Sequence, residues 1–248
     1  MTSPRRVIVI TGAGGALGAA VSGQLAGEGA TDLVLSDISA TSLEATVAGL
    51  PATDGSVETA VADVSEFTQV ESVVTLAVER FGRLDVLISN AGVLAPNGRI
   101  HNLATEDWER AFRVNVLGAV NGIRAAVAVM RPQGTGSIVL TASVAGMTAG
   151  SHAGPYCATK AAVIELAKVA AVEYARDGIR VNCVCPGTFL SGIHADLPAS
   201  ALEAMADRHP LGLGSAHDLV GAYSYLAGAM SSWTTGSAIV VDGGYSAP

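Results

Sequence analysis

Tyr156 and Lys160 stand four residues apart in the run Tyr156-Cys157-Ala158-Thr159-Lys160. On a helix the i and i+4 side chains share a face, so phenol and ammonium can address one site. Free tyrosine ionises near pH 10, too high for an efficient base near neutrality. A cation ~5 Å away, at an effective dielectric near 20, favours the phenolate by about 3 kcal/mol, roughly two pKa units. Alone, this spacing is a common accident. Ser143, 13 residues upstream of Tyr156, raises its weight, because a hydroxyl just past a strand's carboxyl end stands where open α/β sheets bind ligands. Asn115 interrupts an apolar helical stretch as Val114-Asn115-Val116. A core amide satisfied by backbone groups explains it as well as a catalytic role does.

A second group of residues could hold a nucleotide. Thr11, Gly12, Gly14, Gly15, Ala16, Leu17 and Gly18 follow an apolar run and open a helical pattern. Glycine lets backbone N–H groups approach a pyrophosphate, and a helix N-terminus adds a favourable dipole. Such a loop is a weak signal until an acid follows it. Asp37 does so, 19 residues beyond Gly18, where it could accept hydrogen bonds from ribose hydroxyls; a helix-capping carboxylate is the lesser alternative. A 2′-phosphate near Asp37 would be repelled by several kcal/mol at ~4 Å. With no Arg or Lys in the glycine loop and Ile38 after the acid, NAD(H) is preferred over NADP(H).

These residues need a scaffold. Apolar runs at 7–10, 33–36, Val57–Val61, Val86–Ser89, 137–141, 179–185 and Ala238–Val241 alternate with helical patterns. Helices are expected at 16–28, from a cap at Ser39, over 65–81, through Trp108 to Met130, and over 156–176. Strands apolar on both faces imply a parallel sheet covered by helices on each side. The expectation is one Rossmann-type, doubly wound α/β domain of about seven strands in three layers, spanning residues 1–248. Residues 189–215, with His194, Pro198, Pro210, Gly212 and Gly214, interrupt the alternation and read as a lid over a pocket or as an ordinary surface excursion.

Composition narrows the classes. Half of the chain is hydrophobic and only 15% is charged, which excludes intrinsic disorder. A net charge of −8 gives no basic stripe for a nucleic-acid backbone. Cys183 and Cys185 alternate with Val and read as strand packing; no metal site is expected, and three cysteines suit a reducing, cytoplasmic setting. Arg5-Arg6 before an uncharged run imitates a signal peptide, but glycines break that run after one strand's length. The other uncharged runs are broken by Gly, Pro, Ser and Thr and do not read as membrane spans.

Taken in order, these motifs resemble the short-chain dehydrogenase/reductase family, over nearly the whole chain. Thr11, Gly12 and Gly18 match its glycine motif, with Ala16 where the middle glycine usually stands. The resemblance implies that Asp63-Val64 contacts adenine and that Asn90-Ala91-Gly92 borders the nicotinamide ribose. It implies that Pro186-Gly187, Phe189 and Ser191 line the nicotinamide, and that Asp242-Gly243-Gly244 is the closing signature. Asn115, Ser143, Tyr156 and Lys160 match the catalytic tetrad. Implied roles are Tyr156 as base, Ser143 as partner on the substrate oxygen, Lys160 on the nicotinamide ribose and Asn115 on a relay water.

The expected substrate is a neutral secondary alcohol or ketone, cyclic and steroid-like ones included. The pocket candidates Ser143, Ala145, His152, Tyr156 and Thr188, with Val93, Leu94, Ala95, Met147 and the segment 190–197, are largely apolar, and the lid's one cation is Arg208. Two competitors stand beside this reading: a reductase of 3-oxoacyl thioesters on a carrier protein or CoA, and a non-catalytic NAD(H) sensor or scaffold. A homotetramer is implied by the resemblance.

Overall fold

The structure, a computed structural model, describes residues 5–191 and 198–247. Of the lid, residues 192–197, including His194, lie outside the described part. Seven parallel strands form one sheet: β1 (Arg6–Thr11), β2 (Thr31–Asp37), β3 (Val57–Val61), β4 (Val86–Ser89), β5 (Gly136–Thr141), β6 (Ile179–Pro186) and β9 (Ala238–Val241). Their order is β3-β2-β1-β4-β5-β6-β9. β1 pairs with both β2 and β4, Val9 lying opposite Val34 and Leu87. The order reverses there, and the carboxyl ends on either side open a crevice.

Alternation along each strand builds two cores. Val7 and Val9 face one side of β1, and Ile8 and Ile10 the other. The first side is covered by α3 (Phe67–Phe81), α5 (Gly118–Gln133) and α6 (Gly154–Tyr174); the second by α1 (Ala16–Gly27), α2 (Ala40–Ala48) and α8 (Val220–Ala227). Ser39 caps α2 by accepting the Ser42 N–H, as the sequence predicts. Cys183 and Cys185 are both buried on the α6 side of β6, without a disulfide.

Two features depart from the sequence reading. The expected single helix through Trp108 is α4 (Thr105–Ala111), a π-helical segment Phe112–Leu117, and then α5. By length and composition the whole run Thr105–Gln133 could cross a membrane, but half of its most apolar window is buried in the fold, as for a core helix. The excursion 189–215 carries α7 (Ala199–Ala206) and is closed at its base by two short parallel strands, β7 (Phe189–Leu190) and β8 (Gly214–Ser215). Strands of two residues are too short to leave a periodic signal.

Candidate active site

The glycine loop joins β1 to α1 across the crevice. Gly12 turns it with φ +66°, and a Cβ on Gly18 would lie 2.1 Å from the Gly12 carbonyl oxygen. Only hydrogen at Gly18 lets the loop fold back on the helix. No side chain caps α1 at Gly15, so the helix keeps its orphan N–H donors, a fit for an anionic group. Asp37, at the end of β2, accepts the Gly14 N–H on Oδ2 (2.9 Å) and the Ser39 N–H on Oδ1 (3.0 Å). Its carboxylate thus steadies the loop and still borders the crevice. Asp63 accepts the Ser65 N–H (2.8 Å), and Ile38 is largely exposed.

Past the reversal, the turn after β4 is tied to β1. The Thr11 hydroxyl accepts the N–H groups of Asn90 (3.1 Å) and Ala91 (3.3 Å), and Asn90 Nδ2 donates to the Gly12 carbonyl (3.0 Å). A Cβ on Gly92 would come within 3.2 Å of Asn115 Oδ1 and 3.4 Å of Lys160 Nζ. This close approach brings the turn against two of the four expected catalytic residues.

The tetrad assembles from three elements. The π-helical segment carries Asn115, which is buried; its Oδ1 accepts the Val93 N–H (2.8 Å), and its Nδ2 donates to the Val93 carbonyl and to Thr159 Oγ1 (3.0 Å each). Both amide donors are used within the protein, so a relay water at this residue must be held by another of its atoms. Thr159 in turn donates to the Tyr156 carbonyl (2.8 Å). It is fully buried, and the sequence reading passed over it as a spacer between Tyr156 and Lys160. Ser143 follows β5, and its Oγ accepts the Ala145 N–H (3.1 Å).

Electrostatics at the pair differ from the simple expectation. Burial pushes the Tyr156 phenol above its ordinary value, and its hydrogen bond with Ser143 acts in the opposite direction. Lys160 Nζ lies 5.7 Å from the Tyr156 ring centroid and donates to the Thr141 carbonyl (2.8 Å). Burial lowers the lysine to about 8. Burial thus opposes the charged form of each, and the ammonium is turned to the Thr141 carbonyl.

A cavity of about 830 Å³ joins these parts, within the usual range for small-molecule sites. Its wall includes Gly12, Gly15, Ala16, Leu17, Gly18, Asp37, Ile38, Asp63, Val64, Asn90, Ala91 and Gly92 from the cofactor expectation. Ser143, Tyr156, Lys160, Pro186, Gly187, Phe189 and Ser191 complete it, with Val93 and Leu94. Several expected residues lie outside that wall, Ala95, Met147 and Leu190 among them. Gly14 faces Asp37 and Ser42. Ala145 sits in the turn Val144–Gly146 behind Ser143. Thr188 donates its N–H to His209 (3.1 Å). His152 is exposed, with φ +68° and its ring bonded to Ser151. Asn115 is behind the wall, in contact with Gly92. The wall also contains Glu106, Arg110 and Arg113. Their i, i+4, i+7 spacing puts them on one helical face, a signal the sequence reading did not use.

A family model described as enoyl-(acyl carrier protein) reductase matches residues 12–246. The levodione reductase of Leifsonia aquatica is 35% identical, over 98% of this chain and 94% of its own. A 3-oxoacyl-(acyl-carrier-protein) reductase of Thermotoga maritima is 36% identical, over 96% and 97%. The cis-4-hydroxycyclohexanecarboxylate dehydrogenase of Sinomonas cyclohexanicum is 35% identical, over 98% and 97%. Among solved structures, a levodione reductase superposes with a TM-score of 0.92 at 33% identity, covering 98% of each chain. An NAD+-bound xylitol dehydrogenase gives 0.91 at 29% identity, covering 98% of this chain and 100% of that one. With its parallel sheet, its glycine loop and its Tyr156–Lys160 pair in one cavity, the chain belongs to the short-chain dehydrogenase/reductase family, oxidoreductases that use a nicotinamide cofactor on small-molecule substrates.

Proposed function

We propose that the protein is an NAD(H)-dependent dehydrogenase that interconverts a neutral secondary alcohol and its ketone, a cyclic one in particular. The observation that carries this reading is one cavity with Asp37 at one end and the Ser143–Tyr156–Lys160 group at the other. Relatives named for levodione and for a hydroxycyclohexanecarboxylate support the alcohol–ketone chemistry. The NAD+-bound xylitol dehydrogenase supports the cofactor choice, as does the repulsion of a 2′-phosphate by Asp37.

A bound nicotinamide would supply the hydride acceptor for oxidation and the hydride donor for reduction. Gly15 to Gly18 would hold the pyrophosphate, Asp37 the adenosine ribose and Lys160 the nicotinamide ribose. Ser143 and Tyr156 hold the substrate oxygen, and Tyr156 takes its proton in oxidation and gives one in reduction. Asn115 orients the site through Val93 and Thr159. Tyr156→Phe is expected to cut turnover at least a thousandfold while NADH still binds; retained turnover would overturn the assignment.

One observation favours a second reading. Arg110 and Arg113 on the cavity wall give cations that an acidic carrier or a CoA thioester could use, and the Thermotoga maritima relative is named for that reaction. Preference for NADPH and an acyl thioester would establish it. A cytoplasmic homotetramer completes the proposal. Association between subunits is supported by Trp233, fully exposed, and by Leu211 and Met230, each 87% exposed; the number four rests on the family resemblance.

A further inference from the structure

A buried phenol lies on the far side of the sheet from the catalytic tyrosine. Tyr223 of α8 is completely buried within the second core, yet its hydroxyl lies 2.8 Å from Thr141 Oγ1 at the carboxyl end of β5. Thr141 Oγ1 is 3.2 Å from Asn90 Oδ1, and Asn90 Nδ2 is 3.0 Å from the Gly12 carbonyl. The carbonyl of the same Thr141 accepts the Lys160 ammonium. One threonine thus joins α8, the turn after β4, the glycine loop and the catalytic lysine.

The donors along this chain have a fixed order. The Gly12 carbonyl can only accept, so the Asn90 amide nitrogen faces it and the amide oxygen faces Thr141. That oxygen can only accept, so the Thr141 hydroxyl donates to it. Its lone pair must then receive the Tyr223 hydroxyl proton. Burial keeps that phenol protonated, raising it well above its ordinary value.

We infer that Tyr223 is a positioning residue for cofactor binding: through Thr141 it steadies the Asn90 amide, which ties the glycine loop at the Gly12 carbonyl. The inference rests on the nicotinamide-cofactor reading above. A phenylalanine would fill the same apolar space and remove only the donor. Without it the Thr141 hydroxyl loses the group that donates to it, and its 3.2 Å hold on the Asn90 amide oxygen slackens.

The test is NADH binding, read by its fluorescence and independent of any substrate, in the full-length protein. Tyr223→Phe is expected to raise the NADH Kd about five- to tenfold, with the alcohol KM at saturating cofactor within twofold of wild type. Thr141→Val is expected to do the same, the double variant to be no worse than either single one, and Thr141→Ser, which keeps the hydroxyl, to bind like wild type. A core role alone would lower the melting temperature without this shared, non-additive loss. Wild-type affinity in Tyr223→Phe, or additive losses in the double variant, would overturn the inference while leaving the cofactor reading intact. Failure of the wild-type protein to bind NADH would overturn both.

Discussion

Lys160 is held completely inside the protein with its ammonium on one carbonyl, and burial brings it to about 8. Below about pH 8 it is charged in both the folded and the unfolded chain, and its desolvation cost is fully present. Between about pH 8 and the ordinary lysine value near 10.4, the folded chain releases its proton first and stability rises with pH. The cost is on the order of 1–3 kcal/mol. Lys160→Met is therefore expected to melt higher than wild type at pH 7 without cofactor, while losing turnover, and the gap should close towards pH 10. A lower melting point at pH 7 would contradict this. Tyr156 titrates upwards for the same reason, burial. Oxidation needs its deprotonated form, so kcat/KM for the alcohol should climb from about pH 7 to about pH 10, the ordinary phenol value, without reaching a plateau. A profile flat across that range would place the base elsewhere.

At the scale of elements, the site depends on a helix that changes its winding. The π-helical segment Phe112–Leu117 turns Asn115 onto Val93 and Thr159, and such segments recur at functional sites. Asn115→Leu would leave the part-buried Val93 N–H and carbonyl without this partner, at about 1 kcal/mol for each hydrogen bond lost. Urea unfolding should show that loss, and a neutral result would mean that water replaces the amide. Gly18→Ala is expected to lower both the melting point and NADH affinity, because its methyl would meet the Gly12 carbonyl and the Ala13 backbone. Much of this was legible from the sequence. Strands apolar on both faces, the glycine loop, Asp37 and the Tyr156–Lys160 spacing all lie in short local patterns. The π-helical winding was not, because Val114-Asn115-Val116 reads alike in either helix. Thr159 and Tyr223 escaped for a different reason: their importance lies in partners 44 and 82 residues away.

The whole molecule places its chemistry where the two cores share one sheet end. Residues from both faces meet there, Tyr156 and Lys160 from α6 and the glycine loop from α1, while α8 reaches the same place through Tyr223. The proposed association would cover apolar residues that no core covers, Trp233 above all. Sedimentation is expected to give four times the chain mass, and a single-chain mass would contradict the tetramer. The central claim is the alcohol–ketone chemistry with NAD(H). Initial rates of NADH formation, measured with NAD+ and with NADP+ over a panel of secondary and cyclic alcohols, test it most directly. The expected result is turnover of one alcohol class with NAD+ preferred at least a hundredfold. Preference for NADP+, or no turnover of any alcohol or ketone despite tight NADH binding, would contradict it.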